Sequence, residues 1–262
     1  MKISLTRIFT ICLINFLLNY LLLFPLGLYK YLETKDLSAF GLFGILISAV
    51  PVIGTLLFYK FIDKKSLRTL GFHLNRKDLL FSFLSIALTV ILYFIYIMVL
   101  SNSGVIHAQW NTEVFTKGSF YGLFLLIFLS WFVAAFYEEI LFRGYFVANL
   151  KKLSPKKLYV ATSIIFMIFH IFRGLDPINI VILMLMSCVF LYIYLQSGSL
   201  FPSTFAHLIF NFTSGHLVGS SDISILTFNE DPGVFNLIII VVYMIVQIVL
   251  TRTIYGRKVN NK

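Results

Sequence analysis

The stretch SFYGLFLLIFLSWFVAAFYEEILFRGYFVANL, residues 119–150, decides the fold because it joins a long apolar run to charged side chains. A run of about 20 apolar residues is long enough to cross a bilayer as a helix. Glu138 and Glu139 stand side by side in it, and Arg143 follows one turn later. An ionised side chain near the bilayer centre costs roughly 2.5–3.5 kcal/mol on insertion scales, so it is usually retained for a functional site. The stretch therefore predicts both a membrane helix and a candidate site.

The rest of the chain is equally apolar. Of its 262 residues, 59% are hydrophobic and 12% are charged, whereas soluble domains average about 45–50% and about 25%. Apolar runs of spanning length occur at 8–29, 38–60, 79–100, 119–142, 157–172, 178–196, 200–218 and 234–254. No Gly-, Ser- or Pro-rich linker divides them. The sequence predicts an all-α, polytopic membrane protein, a bundle of about eight transmembrane helices in one transmembrane domain, 1–262.

The net charge of +10 is distributed as in a membrane protein and not as in a nucleic-acid binder. Cytoplasmic loops are rich in Lys and Arg, whereas loops on the other side are not. Basic residues fall at the N-terminus, in every second loop and at the C-terminus, namely at Lys2, Arg7, Lys60, Lys64, Lys65, Arg68, Arg76, Lys77, Lys151, Lys152, Lys156, Lys157, Arg252, Arg257, Lys258 and Lys262. The intervening loops are acidic on balance. We expect a multi-pass protein of the cell (plasma) membrane with both termini cytoplasmic, and no nucleic-acid partner.

The two glutamates of the fourth run face different directions. Glu139 and Arg143 are four residues apart, so they share a helical face and can form an ion pair. Glu138 is offset from Glu139 by about 100°, which leaves it free of that pair and able to exchange a proton with water. Glu139 and Arg143 are open to a purely structural interpretation as a buried ion pair.

Two histidines lie well inside apolar runs. His170 follows Phe166 by four residues in the fifth run, and Asn211 follows His207 by four residues in the seventh. Each pair projects from one helical face. A lone membrane histidine or asparagine often only bonds a neighbouring helix, and Phe166 is expected to pack and to hold the His170 rotamer.

Depth along the helices favours a common site. Glu138 lies 13 residues before Lys151, and His170 lies 13 residues after Lys157, so both sit roughly 20 Å from the same basic loop. His207 lies nine residues beyond Gly198, or roughly 13 Å along a helix that enters from the same side. The co-occurrence of these groups at matching depth indicates a functional site in the cytoplasmic half of the membrane.

The strings EEILFR (138–143), FMIFH (166–170) and HLIFN (207–211) resemble EExxxR, FxxxH and HxxxN, the ordered signature motifs of the CPBP (Abi) family. That family comprises CAAX prenyl proteases and bacteriocin-processing or self-immunity proteins. The resemblance covers a catalytic core of about 119–215. The first three runs and the last one match only in being hydrophobic.

The resemblance implies an intramembrane endopeptidase with an eight-helix bundle. Glu138 with His170 would activate a water, His207 and Asn211 would stabilise the oxyanion, and Glu139 and Arg143 would support them. Family members are described as metal-dependent or as glutamate-dependent, so a divalent metal such as Zn on Glu138, His170 and His207 is an alternative. The chain has no HExxH helix, and we expect no obligatory cofactor.

Two other classes of function stay open at this stage. One is a proton- or cation-coupled transporter, because buried Glu and His side chains relay protons in such proteins. The other is a non-catalytic bacteriocin-immunity or scaffold protein, in which the polar groups only fix helix packing. The partners expected for a protease are the lipid bilayer and a membrane-associated peptide or protein substrate.

Overall fold

The apolar runs form helices in the computed structural model, which describes residues 2–28, 30, 36–150, 152–170, 176–228 and 230–256. Within these residues there are eight long helices, α1 (Lys2–Leu23), α2 (Leu37–Leu57), α3 (Arg76–Asn102), α4 (Phe120–Glu139), α5 (Pro155–Phe169), α6 (Pro177–Ser197), α7 (Leu200–Phe212) and α8 (Phe235–Tyr255). The prediction of an all-α polytopic bundle of about eight helices is confirmed. Several residues of the predicted charge pattern lie outside the described part of the chain, namely Lys151, Arg257, Lys258 and Lys262.

Six of the described helical segments are long and apolar enough to cross a membrane, and they are those that contain α1, α2, α3, α4, α6 and α8. The helices α5 and α7 have 15 and 13 residues. At 1.5 Å per residue they are about 20 Å long, shorter than the roughly 30 Å hydrocarbon core. These two short helices are the ones that carry the candidate histidines. The chain is therefore a multi-pass membrane protein in which α5 and α7 are shorter than the other helices.

Three helices continue into π-helical turns, which hydropathy does not reveal. The turns are Phe58–Ile62 after α2, Ile140–Tyr145 after α4 and Thr213–Leu217 after α7. After its π turn the fourth helix resumes an α-helical course over Phe146–Leu150. Turns of this kind are frequent at functional sites. The turn Ile140–Tyr145 overlaps the EEILFR string and contains Arg143, and the turn Thr213–Leu217 begins two residues after the HLIFN string.

The fourth helix lies between α2 and α7. Its approach to α2 is close because Gly41 and Gly44 leave space for the other helix. A Cβ atom placed on Gly44 would lie 2.4 Å from Oγ of Ser130. Small residues permit such contacts between membrane helices, and this contact fixes the position of α4 from the side opposite α7.

Polar side chains join α1 to the same assembly. Nδ2 of Asn15 donates to Oγ1 of Thr55 on α2 at 3.2 Å, and Nδ2 of Asn19 donates to the hydroxyl of Tyr137 on α4 at 3.3 Å. Hydrogen bonds between membrane helices contribute about 0.6 kcal/mol on average. Tyr137 immediately precedes Glu138, so α1 contributes to holding the candidate site.

A loop between α2 and α3 holds the start of α7. Gly71 has a φ of 92° and Gly198 a φ of 76°, a backbone region that suits glycine. The amide of Leu200 donates to the Gly71 carbonyl at 3.1 Å, and Oγ of Ser199 donates to the His73 carbonyl at 2.6 Å. These bonds anchor the first turn of α7 and thereby set the depth of its polar residues.

A small sheet lies at the opposite end of the bundle, and the sequence did not predict it. Its strands are β1 (Gln109–Trp110), β2 (Val218–Gly219) and β3 (Leu226–Thr227), in the order β1-β3-β2. β3 is antiparallel to β1 and parallel to β2. The sheet joins the α3–α4 connection to the α7–α8 connection. It also explains why the seventh helix ends before residue 218, the predicted boundary.

Candidate active site

Glu139 and Arg143 form a fully buried ion pair at the end of α4. Nη1 of Arg143 lies 3.1 Å from Oε1 of Glu139, and both side chains are completely enclosed. Nη2 of Arg143 donates to the carbonyl of Ser187 on α6 at 3.2 Å, with the Ser187 hydroxyl at 3.5 Å. The pairing agrees with the i,i+4 spacing. The guanidinium is thereby held between two helices.

Three phenylalanine rings surround the Arg143 cation. Its Cζ lies 4.9 Å from the ring centroid of Phe166, 5.4 Å from that of Phe190 and 5.9 Å from that of Phe142. A cation over an aromatic face gains about 2 kcal/mol or more when both are desolvated. The rings therefore offset part of the cost of burying this charge, and Phe166 does more than fill space.

His207 on α7 is bonded to the same carboxylate. Its Nδ1 lies 3.1 Å from Oε1 of Glu139. An ionised carboxylate only accepts hydrogen bonds, so Nδ1 carries the proton and donates. The imidazole is stacked on Phe190, with ring centroids 4.6 Å apart and planes 19° apart. His207 is thus fixed in one orientation, with Nε2 directed away from Glu139.

His170 is held by the backbone of the turn that precedes it. The sequence predicted helix until 172, whereas α5 ends at Phe169 and His170 occupies the capping position. Nδ1 of His170 donates to the Phe166 carbonyl at 2.8 Å, because a carbonyl can only accept. Carbonyls at a helix end lack partners within the helix. The bond from Nδ1 therefore satisfies one such carbonyl at the end of α5, and it also fixes the tautomer of His170.

Glu138 faces both imidazoles. Its Oε2 lies 3.8 Å from Nε2 of His170 and 3.8 Å from Nε2 of His207. These separations are too long for direct hydrogen bonds and suit a bridging water. The Glu138 side chain is 16% exposed, whereas Glu139 is fully enclosed. Of the two adjacent carboxylates, only Glu138 can meet a water or a substrate.

Asn211 is not part of this set of contacts. It lies on α7, one turn beyond His207, and is half-buried. Among the described residues it has no side-chain hydrogen-bond partner. The structure therefore links six of the seven candidate residues, Glu138, Glu139, Arg143, Phe166, His170 and His207, and leaves Asn211 at their margin.

Ser187 and Phe190 contact Arg143 and His207 from α6 and were not predicted from the sequence. Ser187 is a polar residue inside the apolar run MLMSCVFLY, and that break in hydropathy is a weak signal. Phe190 has no such signal, because phenylalanine is abundant throughout the chain.

The geometry was also compared with the requirements of a metal site. Zinc sites use ligand atoms at about 2.0–2.2 Å from the ion when those atoms are nitrogen or oxygen. In the described part of the chain, no group of three or more His, Cys, Asp and Glu side chains is arranged to hold a metal ion.

A known protein family matches the segment that carries these residues. The family model described as "Type II CAAX prenyl endopeptidase Rce1-like" matches residues 120–213, from the first residue of α4 to one residue beyond α7. The resemblance to CAAX proteases is thereby confirmed over this segment. No curated protein and no solved structure matches the chain. The chain is therefore a multi-pass membrane protein in which residues 120–213 are similar to the type II CAAX prenyl endopeptidase family.

Proposed function

We propose that this protein is an intramembrane endopeptidase that cleaves a membrane-associated peptide or protein with a water activated by Glu138 and His170. Residues 1–262 act as one transmembrane domain, and its catalytic core is about 119–215. We further propose that the chain resides in the plasma membrane with both termini in the cytoplasm, which puts the site in the inner half of the bilayer. The observation that supports this proposal most directly is the 3.8 Å separation of the Glu138 carboxylate from both imidazole Nε2 atoms.

The protonation pattern supports a bound water. Nδ1 of each histidine donates to a fixed acceptor, the Phe166 carbonyl or the Glu139 carboxylate. In a neutral imidazole the other nitrogen is an acceptor. Three acceptors, two Nε2 atoms and one carboxylate oxygen, then face a common point. A water at that point donates its two hydrogen atoms to two of these acceptors, one of them Glu138, and presents an oxygen lone pair to a scissile carbonyl.

Hydrolysis proceeds in two proton transfers. The water oxygen bonds to the carbonyl carbon while one water proton passes to the Glu138 carboxylate, as in general base catalysis. Glu138 then returns that proton to the leaving amide nitrogen as the C–N bond breaks. The products are an amine and a carboxylic acid, which releases its remaining proton to solvent, and Glu138 is ionised again.

The oxyanion that forms in between is served by Asn211 and, in its imidazolium form, by His207. The side-chain amide of Asn211 does not titrate, so it always carries N–H donors. It lies one turn from His207 on the same helical face. His207 donates from Nε2 only when both of its nitrogens are protonated, because Nδ1 is already committed to Glu139. Removal of one such donor typically costs a factor of 10²–10³ in rate.

The test is a comparison of membrane peptide termini by mass spectrometry. Cells would carry the wild type, Glu138→Gln or Glu113→Gln, where Glu113 is an exposed carboxylate in the α3–α4 connection. We expect termini that are present with the wild type and Glu113→Gln and absent with Glu138→Gln, with all three proteins accumulating equally. Identical sets of termini in all three cells would refute the proposal and would favour a scaffold. Proton flux in liposomes that persists in Glu138→Gln would favour a transporter.

The role of metal is tested separately. We propose that no obligatory metal takes part, because the chain has no HExxH helix. Elemental analysis of the purified wild type and His170→Ala, together with cleavage after treatment with a chelator, decides this. Retained cleavage agrees with the proposal. One zinc per chain in the wild type, lost in His170→Ala together with activity, would contradict it.

A further inference from the structure

The helix α6 carries none of the three motifs, yet it forms one wall of the site. Ser187 and Phe190 are three residues apart, so they share a helical face, and both are almost completely buried. Ser187 accepts from Arg143 through its carbonyl, whereas the Phe190 ring lies against both Arg143 and His207. This face of α6 therefore contacts two of the groups that surround Glu139.

The imidazole of His207 needs two restraints to keep one orientation. Its hydrogen bond to Glu139 selects which nitrogen faces that carboxylate, but a single bond permits the ring to rock about it. Parallel stacking on Phe190, with planes 19° apart, restrains the plane of the ring. Together they direct Nε2 toward Glu138, at 3.8 Å.

The same phenylalanine also acts on the other partner of Glu139. The Arg143 cation lies 5.4 Å from the Phe190 ring and forms an ion pair with Glu139, with Nη1 3.1 Å from Oε1. One aromatic ring thus contacts both groups that bond the Glu139 carboxylate. Its loss would loosen the hydrogen bond to His207 from both ends.

We propose that Phe190 is a positioning residue that keeps the proton of His207 on Nδ1, toward Glu139, and Nε2 directed at Glu138. Its importance for catalysis rests on the proposed function, but the orientation itself exists without a substrate. An aromatic side chain is required because only a flat ring can stack on the plane of the imidazole. A leucine side chain is similarly apolar but is not planar.

The experiment is ¹⁵N NMR of the histidines in the full-length protein, purified in detergent at neutral pH. The signals of His207 are those that disappear in His207→Gln. In the wild type we expect two well-separated ring-nitrogen signals, one protonated and one not. In Phe190→Leu we expect the two to move toward each other, because the imidazole then exchanges between orientations and tautomers. If Phe190→Leu does not accumulate, Phe190→Met provides the same readout.

Two controls distinguish positioning from general loosening. Phe120→Leu makes the same change at a buried phenylalanine at the far end of α4, and it should lower the thermal unfolding temperature without moving the His207 signals. The signals of His170, whose ring contacts Phe166, should stay unchanged in both variants. Unchanged His207 signals in Phe190→Leu, or equal movement in Phe120→Leu, would overturn the proposal. If Glu138→Gln leaves cleavage intact, the proposed function fails while this result stands.

Discussion

Oε1 of Glu139 lies 3.1 Å from Nδ1 of His207, and this bond connects the first motif to the third across two helices. The same oxygen lies 3.1 Å from Nη1 of Arg143, so the second glutamate is occupied by structural contacts. The first glutamate, offset by about 100° on the helix, faces the imidazoles instead. The two adjacent carboxylates therefore have separate tasks and should respond differently to substitution.

Glu139→Gln should destabilise the protein strongly, by about 3–5 kcal/mol, because it leaves the buried Arg143 cation without its counterion. Thermal unfolding in detergent measures the effect. Glu138→Gln is the matched control, and its unfolding temperature should stay close to that of the wild type, since Glu138 is partly exposed and 3.8 Å from its nearest imidazoles. The double variant Glu139→Gln, Arg143→Met should recover stability. Equal unfolding temperatures for the two single variants would contradict this assignment.

Asn211→Ala should lower the cleavage rate by about 10²–10³-fold and leave stability unchanged. The amide has no hydrogen-bond partner among the described residues, so its removal breaks no hydrogen bond of that part of the chain. The rate is measured on the substrate that the comparison of termini identifies. Ser214→Ala, an exposed position one turn further on, is the control and should cleave normally. A wild-type rate in Asn211→Ala would exclude it as an oxyanion donor.

Phe166→Leu should separate two functions of the FxxxH motif. The bond to His170 uses the backbone carbonyl, which the substitution preserves, whereas the ring contact with Arg143 at 4.9 Å is lost. We expect a loss of stability of about 2 kcal/mol beyond that of packing alone. Phe146 is a buried phenylalanine next to the π turn. The thermal unfolding of Phe146→Leu measures the loss of stability that comes from packing alone. A larger loss in Phe146→Leu would contradict a special role for the Phe166 ring.

The sequence predicted the helices and the depth of the polar groups because both depend on simple periodicities. The four-residue spacing of Glu139 and Arg143 indicated their ion pair, and counting from the cytoplasmic helix ends placed Glu138, His170 and His207 in the same half of the membrane. The contribution of α6 was not predictable, because a phenylalanine in an apolar run does not reveal what it faces. The π turns were hidden for a related reason, since hydropathy carries no information on which carbonyl each amide bonds.

The contact between α2 and α4 provides a test of the bundle itself. Gly44→Ala should lower the free energy of unfolding by about 1–3 kcal/mol, the usual effect of overpacking, because its Cβ would lie 2.4 Å from Oγ of Ser130. Gly122→Ala is the matched control, since nothing lies within 4 Å of a Cβ at that position, and alanine favours a helix over glycine.

The double variant Gly44→Ala, Ser130→Ala should recover most of the loss, because the Ser130 Cβ is 3.7 Å away and only the hydroxyl clashes. Thermal unfolding of the four proteins measures these effects. If the double variant is no more stable than Gly44→Ala, the two helices are not held at this distance by that contact.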